Sequence, residues 1–505
     1  MTVEQVRTRP SRFGQFNVAA ALADRVERND WATAPAYIVD GRMWTHGEVH
    51  DLAARATSVL IDSGVRPGDR LLLALPDGIG WVVTFLATAR LGAIAVLANP
   101  ELTADDHAFL TGDSTPALCV TEAALEDRFD PGNWLDVEHL LARSATAARA
   151  HPQVVDAITP LYLQYTSGTT GEPKGVVHHH GDLPIYYQAV ARRMLDVGPQ
   201  DVTLSISKLF YAYGFGNALV FPLYSGSSAV LIGARPTADR VGELAARHRV
   251  SLLYAVPTAY AALVDRADRH SFATLRGAVS AGETLSARLG EQSAELLGAP
   301  VFEQIGSTEA GHAFCANGVH HNVPGTVGRP VAGYDLALRD RNGAPVEDEN
   351  VGELWVRGPT VLREYLNRPV ETARVVVDGW LFTRDLACRQ PDGTYRHLGR
   401  VDDLEMVGGI TLSPLEIEKV LAEHPLVREV AVAAVPDQIG ATKLRAFVVP
   451  TAPISDGAAL ESELLGLARR RLAAFKVPRT VRVTTALPRT ATGKLRRHIL
   501  RTGAW

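Results

Sequence analysis

Several short stretches of this chain carry residue types that could do chemistry. The densest runs from Tyr165 to Val176, YTSGTTGEPKGV, which holds three glycines (Gly168, Gly171 and Gly175), four hydroxyls (Thr166, Ser167, Thr169 and Thr170) and Lys174. Glycines let backbone N–H groups approach a polyanion, hydroxyls add donors, and a lysine adds charge, so the run reads as a phosphate cradle. It is not the G-x-x-x-x-G-K-[ST] pattern, because Lys174 follows Pro173 and precedes Gly175. Two other groups imitate sites. His178, His179 and His180 suggest a metal, but consecutive side chains diverge on a helix or strand, and a helix start near the phosphate loop is the reading taken here. Asp402 and Asp403 suggest paired acid and base, yet neighbours on a strand face opposite ways.

The elements that must position these residues alternate. Leu52 to Asp62 has helical spacing, VRPGDRLLLALPD reads as turn, strand and stop, and Gly80 to Leu91 is helical again. Leu161 to Tyr165, Val230 to Ile232, Leu252 to Ala255 and Ala278 to Ser280 are short apolar runs between amphipathic stretches. The pattern predicts an α/β fold with doubly wound sheets. Val351 to Arg357 and Cys388 to His397, with turn residues Pro391, Asp392 and Gly393, predict a β-rich subdomain. After Arg400 a helix over 414–423, strands over 430–435 and 446–449 and a helix over 459–474 predict a small α+β C-terminal domain.

Composition narrows the function. The chain has 505 residues, 46% hydrophobic and 21% charged, and 51 basic against 56 acidic side chains give a net charge of −5. That fits an ordinary globular chain and offers no basic excess for nucleic acid or anionic lipid. Only Cys119, Cys315 and Cys388 occur, so no disulfide framework is expected. The N-terminus shows no cleavable signal pattern, and the most apolar region, 71–99, is interrupted by Asp77 and Arg90. A cytoplasmic protein without a membrane partner, a monomer or homodimer, is the expectation.

YTSGTTGEPKGV closely resembles the signature loop of the adenylate-forming superfamily, which includes acyl- and aryl-CoA synthetases, nonribosomal peptide adenylation domains and firefly luciferase. Further motifs agree in order over nearly the whole chain. Ser280, Ala281, Gly282 and Glu283 resemble the turn beside the adenine. Ile305-Gly306-Ser307-Thr308-Glu309 resembles the aromatic-Gly-x-Thr-Glu motif, with Ile305 in place of the aromatic; the resemblance puts Thr308 on phosphate and Glu309 on Mg²⁺, which as a hard cation wants such oxygens. Gly379 to Asp385 resembles G-W-x-x-T-G-D, so Asp385 is expected on the ribose. Arg384 stands where that motif has glycine, and either the backbone tolerates a side chain there or the guanidinium has acquired a contact.

Gly399 to Asp403 resembles the family hinge, implying a ribose contact for Arg400 and a pivot at Asp402, within a division into residues 1–399, a hinge at 400–403, and a mobile lid domain at 404–505. Val407, Gly408 and Gly409 correspond to a loop lining the thiol tunnel of CoA ligases. Pro488 to Lys494 resembles P-x-T-x-x-G-K, which makes Lys494 the adenylation lysine. The segment 209–217 and the sequence GSTEAGHAF are similar to benzoate-CoA ligases, placing Tyr211, Ala212, Tyr213, Gly214 and His312 at the acyl pocket, whereas Phe210 and Phe221 read as core.

The resemblance implies a two-step ligase. A carboxylic acid attacks the α-phosphate of ATP, pyrophosphate leaves, and the CoA thiol then attacks the acyl-adenylate, with the C-terminal domain alternating between the steps. The acid is expected to be aryl or cyclic, or a bulky biosynthetic acid, since Ala212, Gly214, Ala310 and Gly311 add little volume. Two rivals share the motifs: an adenylating enzyme that loads carrier-protein phosphopantetheine, and a silent nucleotide-binding regulator.

Overall fold

The computed structural model describes residues 16–130, 132–166, 172–401, 405–407, 410–436, 442–454, 456–489 and 495–502. The chain divides into two compact units, one of Met1–Gly282, Glu291–Leu336 and Val356–Leu381, the other of Glu283–Gly290, Ala337–Trp355 and Phe382–Trp505.

The first unit contains two large sheets. In one, six strands run in the order Trp134–Asp136, Leu118–Thr121, Arg70–Ala74, Ile94–Ala98, β1 (Pro160–Thr166) and β2 (Lys174–His179), parallel except for the final pair. The other has nine strands, in the order Arg329–Pro330, Ala313–Ala316, Val301–Gly306, Gly277–Ser280, Leu252–Ala255, Val202–Ser205, Ser228–Leu231, Pro35–Val39 and Arg42–Thr45. Of these, β3 (Gly277–Ser280), β4 (Val301–Gly306) and β5 (Ala313–Ala316) position the site. β3 and β4 are parallel, and β4 and β5 antiparallel.

Helix boundaries follow local chemistry. The helix His46–Asp62 opens with a capping box in which Thr45 and Glu48 satisfy each other's backbone N–H groups, and the helix Ile79–Leu91 ends at Gly92, whose φ of 73° is a left-handed stop. That second helix is buried almost all round, which is why its apolar residues show little sidedness. The helices and strands expected over the first 300 residues therefore form, doubly wound as anticipated. The histidine triplet differs. His178 and His179 end β2 instead of starting a helix, and the next helix begins at Leu183. Val176 and Val177 extend the strand because they fit a buried pleated surface.

β6 (Trp380–Arg389), which belongs to the second unit from Phe382 on, and β7 (Tyr395–Arg400) form an antiparallel hairpin around the Pro391–Gly393 turn, with Asp385 opposite Arg400. Residue 384 keeps the backbone that glycine prefers: Arg384 has φ +63°. An L-residue in this region costs about 1–2 kcal/mol. Arg384→Gly is therefore expected to raise the thermal midpoint, by an amount equivalent to up to about 1 kcal/mol after the extra chain entropy of glycine. A lower midpoint would show that the arginine's own contacts outweigh the strain.

The C-terminal part is α+β. Helices Pro414–Leu421 and Gly457–Arg471 pack on strands Val427–Pro436, Thr442–Pro450 and Thr480–Val483 through Ile417, Leu421, Val432, Val448, Leu460 and Leu464. A buried ion pair ties its ends together: Arg497 Nη1 lies 2.6 Å from Glu418 Oε1, which also accepts from Val432 N at 2.6 Å. Removing one partner of such a pair leaves a buried charge uncompensated. Among the described residues no helix is long and apolar enough to cross a membrane.

Candidate active site

In the first unit, β1 and β2 run antiparallel with Thr166 opposite Lys174, so both residues stand at the mouth of the loop that joins them. Ser167, Gly168, Thr169, Thr170 and Gly171 lie outside the described residues. Backbone bonds from Leu366 N to Gly175 O (2.8 Å) and from Val177 N to Glu364 O (3.4 Å) fix the segment 364–366 against β2. That segment delivers Tyr365. Its hydroxyl donates to Glu309 Oε1 at 2.9 Å, and its ring centroid lies 5.4 Å from Lys174 Nζ. Tyr365 thus brings the expected metal ligand and the expected phosphate-loop lysine to one place. Sequence reading missed it, because only the strand pairing shows that residue 365 returns to the loop.

Thr308 and Glu309 follow β4 in a short 3₁₀ turn whose cap is Ser307, the side chain accepting from Ala310 N at 3.2 Å. The turn rests on a buried polar stack. His178 Nε2 donates to Thr308 O at 2.8 Å, and its Nδ1 lies 3.3 Å from Asp182 Oδ2 and 3.1 Å from the Tyr186 hydroxyl. Tyr162 stacks on the His178 ring at 4.9 Å. Burial pushes the Asp182 carboxyl up, but hydrogen bonds from His178 and His179 and the charge of His178 hold it below its usual range. His179 Nδ1 also approaches Asp182, at 3.7 Å, and His180 Nδ1 accepts from Val18 N at 3.1 Å, its pKa pushed down to about 3 by burial. Each ring of the triplet is therefore engaged by its own surroundings, and two of them converge on one carboxylate.

Tyr365→Phe tests the Glu309 contact. Losing one hydrogen bond worth about 1 kcal/mol is expected to slow acid-dependent pyrophosphate release about 5- to 10-fold and to raise the Mg²⁺ concentration needed, with no change in the melting midpoint. An unchanged Mg²⁺ dependence would remove Tyr365 from the metal's surroundings.

Of the expected acyl residues, Tyr213 lies beside His312, while Tyr211 meets Asn99 and Gly214 lies against the backbone of Ser207 and Lys208. Ala212 and Gly214 begin a helical run that widens to π geometry over Phe215–Val220 and returns to α over Phe221–Ser225. Such widened turns recur at functional sites. Gly216 faces the imidazole: a Cβ there would fall 2.1 Å from His312 Cδ2. His312 Nε2 is 3.3 Å from Asn217 Oδ1, and the rings of Phe221, Tyr213 and Tyr186 lie 5.0, 6.2 and 6.3 Å away. Burial lowers the His312 pKa to about 3, so the ring is neutral near pH 7 and presents a flat surface instead of a cation. Phe221, expected in the core, is fully buried but touches this ring directly. Tyr213 places its hydroxyl on Val279 O at 2.8 Å, and Tyr211 accepts from Asn99 Nδ2 at 3.3 Å. Ile305 pairs with Cys315 on the opposite face of β4 from Gln304.

In the first unit the turn after β3 carries Ser280, Ala281 and Gly282, the last with φ +88°. In the second unit a relay runs from Thr284 Oγ1 to His397 Nδ1 (3.2 Å) and from His397 Nε2 to Asp385 Oδ1 (3.4 Å), with Arg400 Nη1 also 3.4 Å from Asp385. The His397 bond and the Arg400 charge hold the buried Asp385 carboxyl below its usual range. An ionised Asp385 is an acceptor pair suited to vicinal hydroxyls. His397 was absent from the sequence reading, since nothing in HLGR marks it before the hairpin brings it opposite Ala387. Glu283 lies 3.6 Å from Arg489, which also reaches Glu429 at 2.8 Å and pairs in a bridge with Leu495. Arg489 and Leu495 flank Lys494 in the sequence. Asp402, Gly408, Gly409 and Lys494 themselves lie outside the described residues, and Val407 sits in a two-stranded ribbon opposite Ile410.

Comparison with known proteins bears on the family and the fold. The family model described as AMP-binding enzyme matches residues 23–366, and that of the AMP-binding enzyme C-terminal domain matches 416–494. The chain is 40% identical over 486 residues to the p-hydroxybenzoic acid–AMP ligase FadD22 of Mycobacterium marinum, covering 96% of this chain and 69% of that one. It is 36% identical to the 4-hydroxybenzoate–CoA/benzoate–CoA ligase of Rhodopseudomonas palustris, covering 96% and 94%. The solved structure of a benzoate CoA ligase from Burkholderia xenovorans superposes with a TM-score of 0.88 at 34% identity, covering 96% and 99%.

Proposed function

We propose, from the premise that this chain belongs to the AMP-binding enzyme family, that it is an ATP-dependent ligase of aryl carboxylic acids that forms an acyl-adenylate and passes the acyl group to the thiol of CoA. The observation that carries the aryl reading is the ring cluster of Tyr186, Tyr213 and Phe221 around a neutral His312, which itself follows the Thr308–Glu309 turn in sequence. Aromatic walls take a flat acid through offset and edge contacts. The similar chains acting on benzoate and hydroxybenzoate support the same class.

In this reading the acid's carboxylate attacks the α-phosphorus of ATP, and the charge that develops on the phosphoryl oxygens is met by donors already in place. Thr166 and Lys174, with Ser167, Gly168, Thr169, Thr170 and Gly171, surround the phosphates. Thr308 binds phosphate, and its position is held from behind by His178. Ser280, Ala281, Gly282 and Glu283 flank the adenine, while Asp385 and Arg400 hold the ribose. Lys494 completes adenylation, and withdraws as the C-terminal domain turns about Asp402 to present Val407, Gly408 and Gly409 to pantetheine. Glu309 fits a divalent cation, since Tyr365 occupies Oε1 and orients the carboxylate. When bound, Mg²⁺ neutralises phosphate charge. In this reading the protein acts in the cytoplasm.

A second reading is favoured by the 40% identity to an aryl-AMP ligase: the acyl-adenylate is handed to a carrier protein instead of free CoA. Pyrophosphate release measured with ATP and Mg²⁺ across aryl, fatty and polycyclic acids, with and without CoA, and with products followed by mass, separates the readings. An aryl-CoA product supports the ligase. Aryl-adenylate that accumulates and ignores CoA supports the carrier-protein reading, and the absence of any acid-dependent pyrophosphate rejects both.

A further inference from the structure

Asp77 is 4% exposed, in the turn between the strand Arg70–Ala74 and the helix Ile79–Leu91. Its Oδ1 accepts from Leu209 N at 2.9 Å. An asparagine would accept the same bond without an ionisable group, and burial makes a carboxylate costly. The carboxyl therefore calls for a reason.

Its surroundings supply one. Leu209 lies in the segment 208–211, which leaves the nine-stranded sheet after Val202–Ser205 and leads into the helical run at Ala212. The six-stranded sheet grips that segment at three successive residues. Asp77 holds Leu209 N, Gln164 of β1 donates from Nε2 to Phe210 O at 2.9 Å, and Asn99 donates to the Tyr211 hydroxyl. Asp77 and Asn99 follow adjacent parallel strands, Arg70–Ala74 and Ile94–Ala98, so both stand at the carboxyl ends, where open α/β sheets bind ligands. Lys208 ties the segment to the other sheet, its Nζ donating to the carbonyls of Ile232, Gly233 (3.1 Å) and Ala234 (2.9 Å). The turn is tight: Tyr211 N donates to Lys208 O at 3.0 Å, and a Cβ on Gly214 would fall 2.1 Å from the same oxygen. Fixing Leu209 therefore fixes the start of the run that carries Tyr213 and Phe215. The helix after Asp77 braces that run as well, its Trp81 and Phe85 rings lying 6.2 and 5.2 Å from Phe215.

Of the three residues that grip the segment, Asp77 alone can change its charge. Burial pushes its carboxyl up to about 7, against the pull of the Lys208 charge and the Leu209 bond. Lys208 faces it from the segment, and Glu101 faces Lys208 and Tyr211 from the loop after Ile94–Ala98. Burial raises the Tyr211 hydroxyl to about 12, so that group keeps its proton throughout.

We propose that Asp77 is a positioning residue for the acid: its carboxylate, by holding Leu209 across the seam between the two sheets, sets the wall formed by Tyr211 and Tyr213 and so tightens the protein's grip on the acid but not on ATP. The inference rests on the reading that puts the acid beside these tyrosines, and adds the residue that places them. The sign follows from the bond. An ionised carboxylate accepts from an N–H about twice as strongly as a neutral group, so the grip is full above about pH 7 and weakens as pH falls through that value.

The test measures KM for 4-hydroxybenzoate and for ATP by pyrophosphate release, from about pH 6 to about pH 8.5, in the full-length wild type and in Asp77→Asn, which keeps the shape and the acceptor and removes the charge. At about pH 8.5 the variant's KM for the acid is expected to rise about 5- to 10-fold, with kcat and the KM for ATP within about 2-fold of wild type. The ratio of variant to wild-type acid KM is expected to shrink toward unity at about pH 6, where the wild-type carboxyl is itself neutral; the ratio cancels titrations the two proteins share. The melting midpoint at the higher pH is expected to equal or exceed that of wild type, because the variant removes a buried charge. An unchanged acid KM at high pH, or a ratio that does not vary with pH, would overturn the proposal. Equal rises in both KM values with a lower midpoint would make Asp77 a packing residue and overturn it too. Should the variant not fold, the wild type decides: its acid KM must rise below about pH 7 while its KM for ATP holds, and a flat profile rejects the role. If 4-hydroxybenzoate releases no pyrophosphate but a fatty or polycyclic acid does, the aryl reading falls alone, and the same comparison on that acid decides this inference. No acid-dependent release from any of them overturns both.

Discussion

Lys494→Ala is expected to lower acid-dependent pyrophosphate release about 10²- to 10³-fold, the range for removing a well-placed electrostatic stabiliser. Thioester formation from supplied acyl-adenylate should be largely spared, because the second half-reaction leaves AMP with no need for a cation on an entering α-phosphate. The described residues on either side of Lys494 are well bonded. Arg489 and Leu495 form a bridge, Arg496 N donates to Pro488 O at 2.8 Å, and Arg489 is held by Glu429. Beyond the loop, the buried Arg497–Glu418 pair anchors the final helix. None of these bonds involves the Lys494 side chain, and a melting midpoint equal to wild type is expected. Equal losses in both half-reactions would reject Lys494 as the adenylation lysine.

Gly311→Ala is the second large effect expected, and it acts through the scaffold. Gly311 has φ +77°, and a Cβ there would fall 1.8 Å from the Tyr186 hydroxyl. Neither the backbone nor the ring has room to yield cheaply, since Tyr186 is 1% exposed and bonds to both Tyr162 and His178. Left-handed strain of about 1–2 kcal/mol and overpacking of about 1–3 kcal/mol add to a cost of several kcal/mol. The displacement also reaches chemistry, because His178 donates to the Thr308 carbonyl. A sharply lower thermal midpoint together with loss of pyrophosphate release is expected. Tyr186→Phe in the Gly311→Ala background should recover part of the midpoint by clearing the hydroxyl. An alanine variant with wild-type stability would show that the turn after Glu309 is not packed as described.

These two residues mark the difference between what sequence and tertiary structure decide. Lys494, Lys174, Thr308, Glu309, Asp385 and Arg400, the residues proposed for nucleotide chemistry, are legible as members of short motifs that resemble those of a known family, and such motifs survive in a one-dimensional string. Hydrophobic periodicity likewise fixes most strands and helices, since burial of one face needs only a period of 2 or 3.6. The parts that escaped notice are joined across long separations. Tyr365 reaches Glu309 over 56 residues, His397 reaches Thr284 over 113, and His178 reaches Thr308 over 130. A lone tyrosine, histidine or aspartate has no local signature, and its role depends on which strand lies beside it. The histidine triplet shows the same limit, as its reading depended on whether 174–179 extends or coils, and pairing with β1 settled that in favour of a strand. By itself the sequence determined the order of the elements and carried the short motifs from which adenylate chemistry is proposed, because these depend on near neighbours. Tertiary structure alone decided the orientation of Glu309 by Tyr365, the neutral state of His312 and the burial of Asp77 against Leu209, because hydrogen bonding and desolvation are set by atoms distant in sequence and adjacent in space.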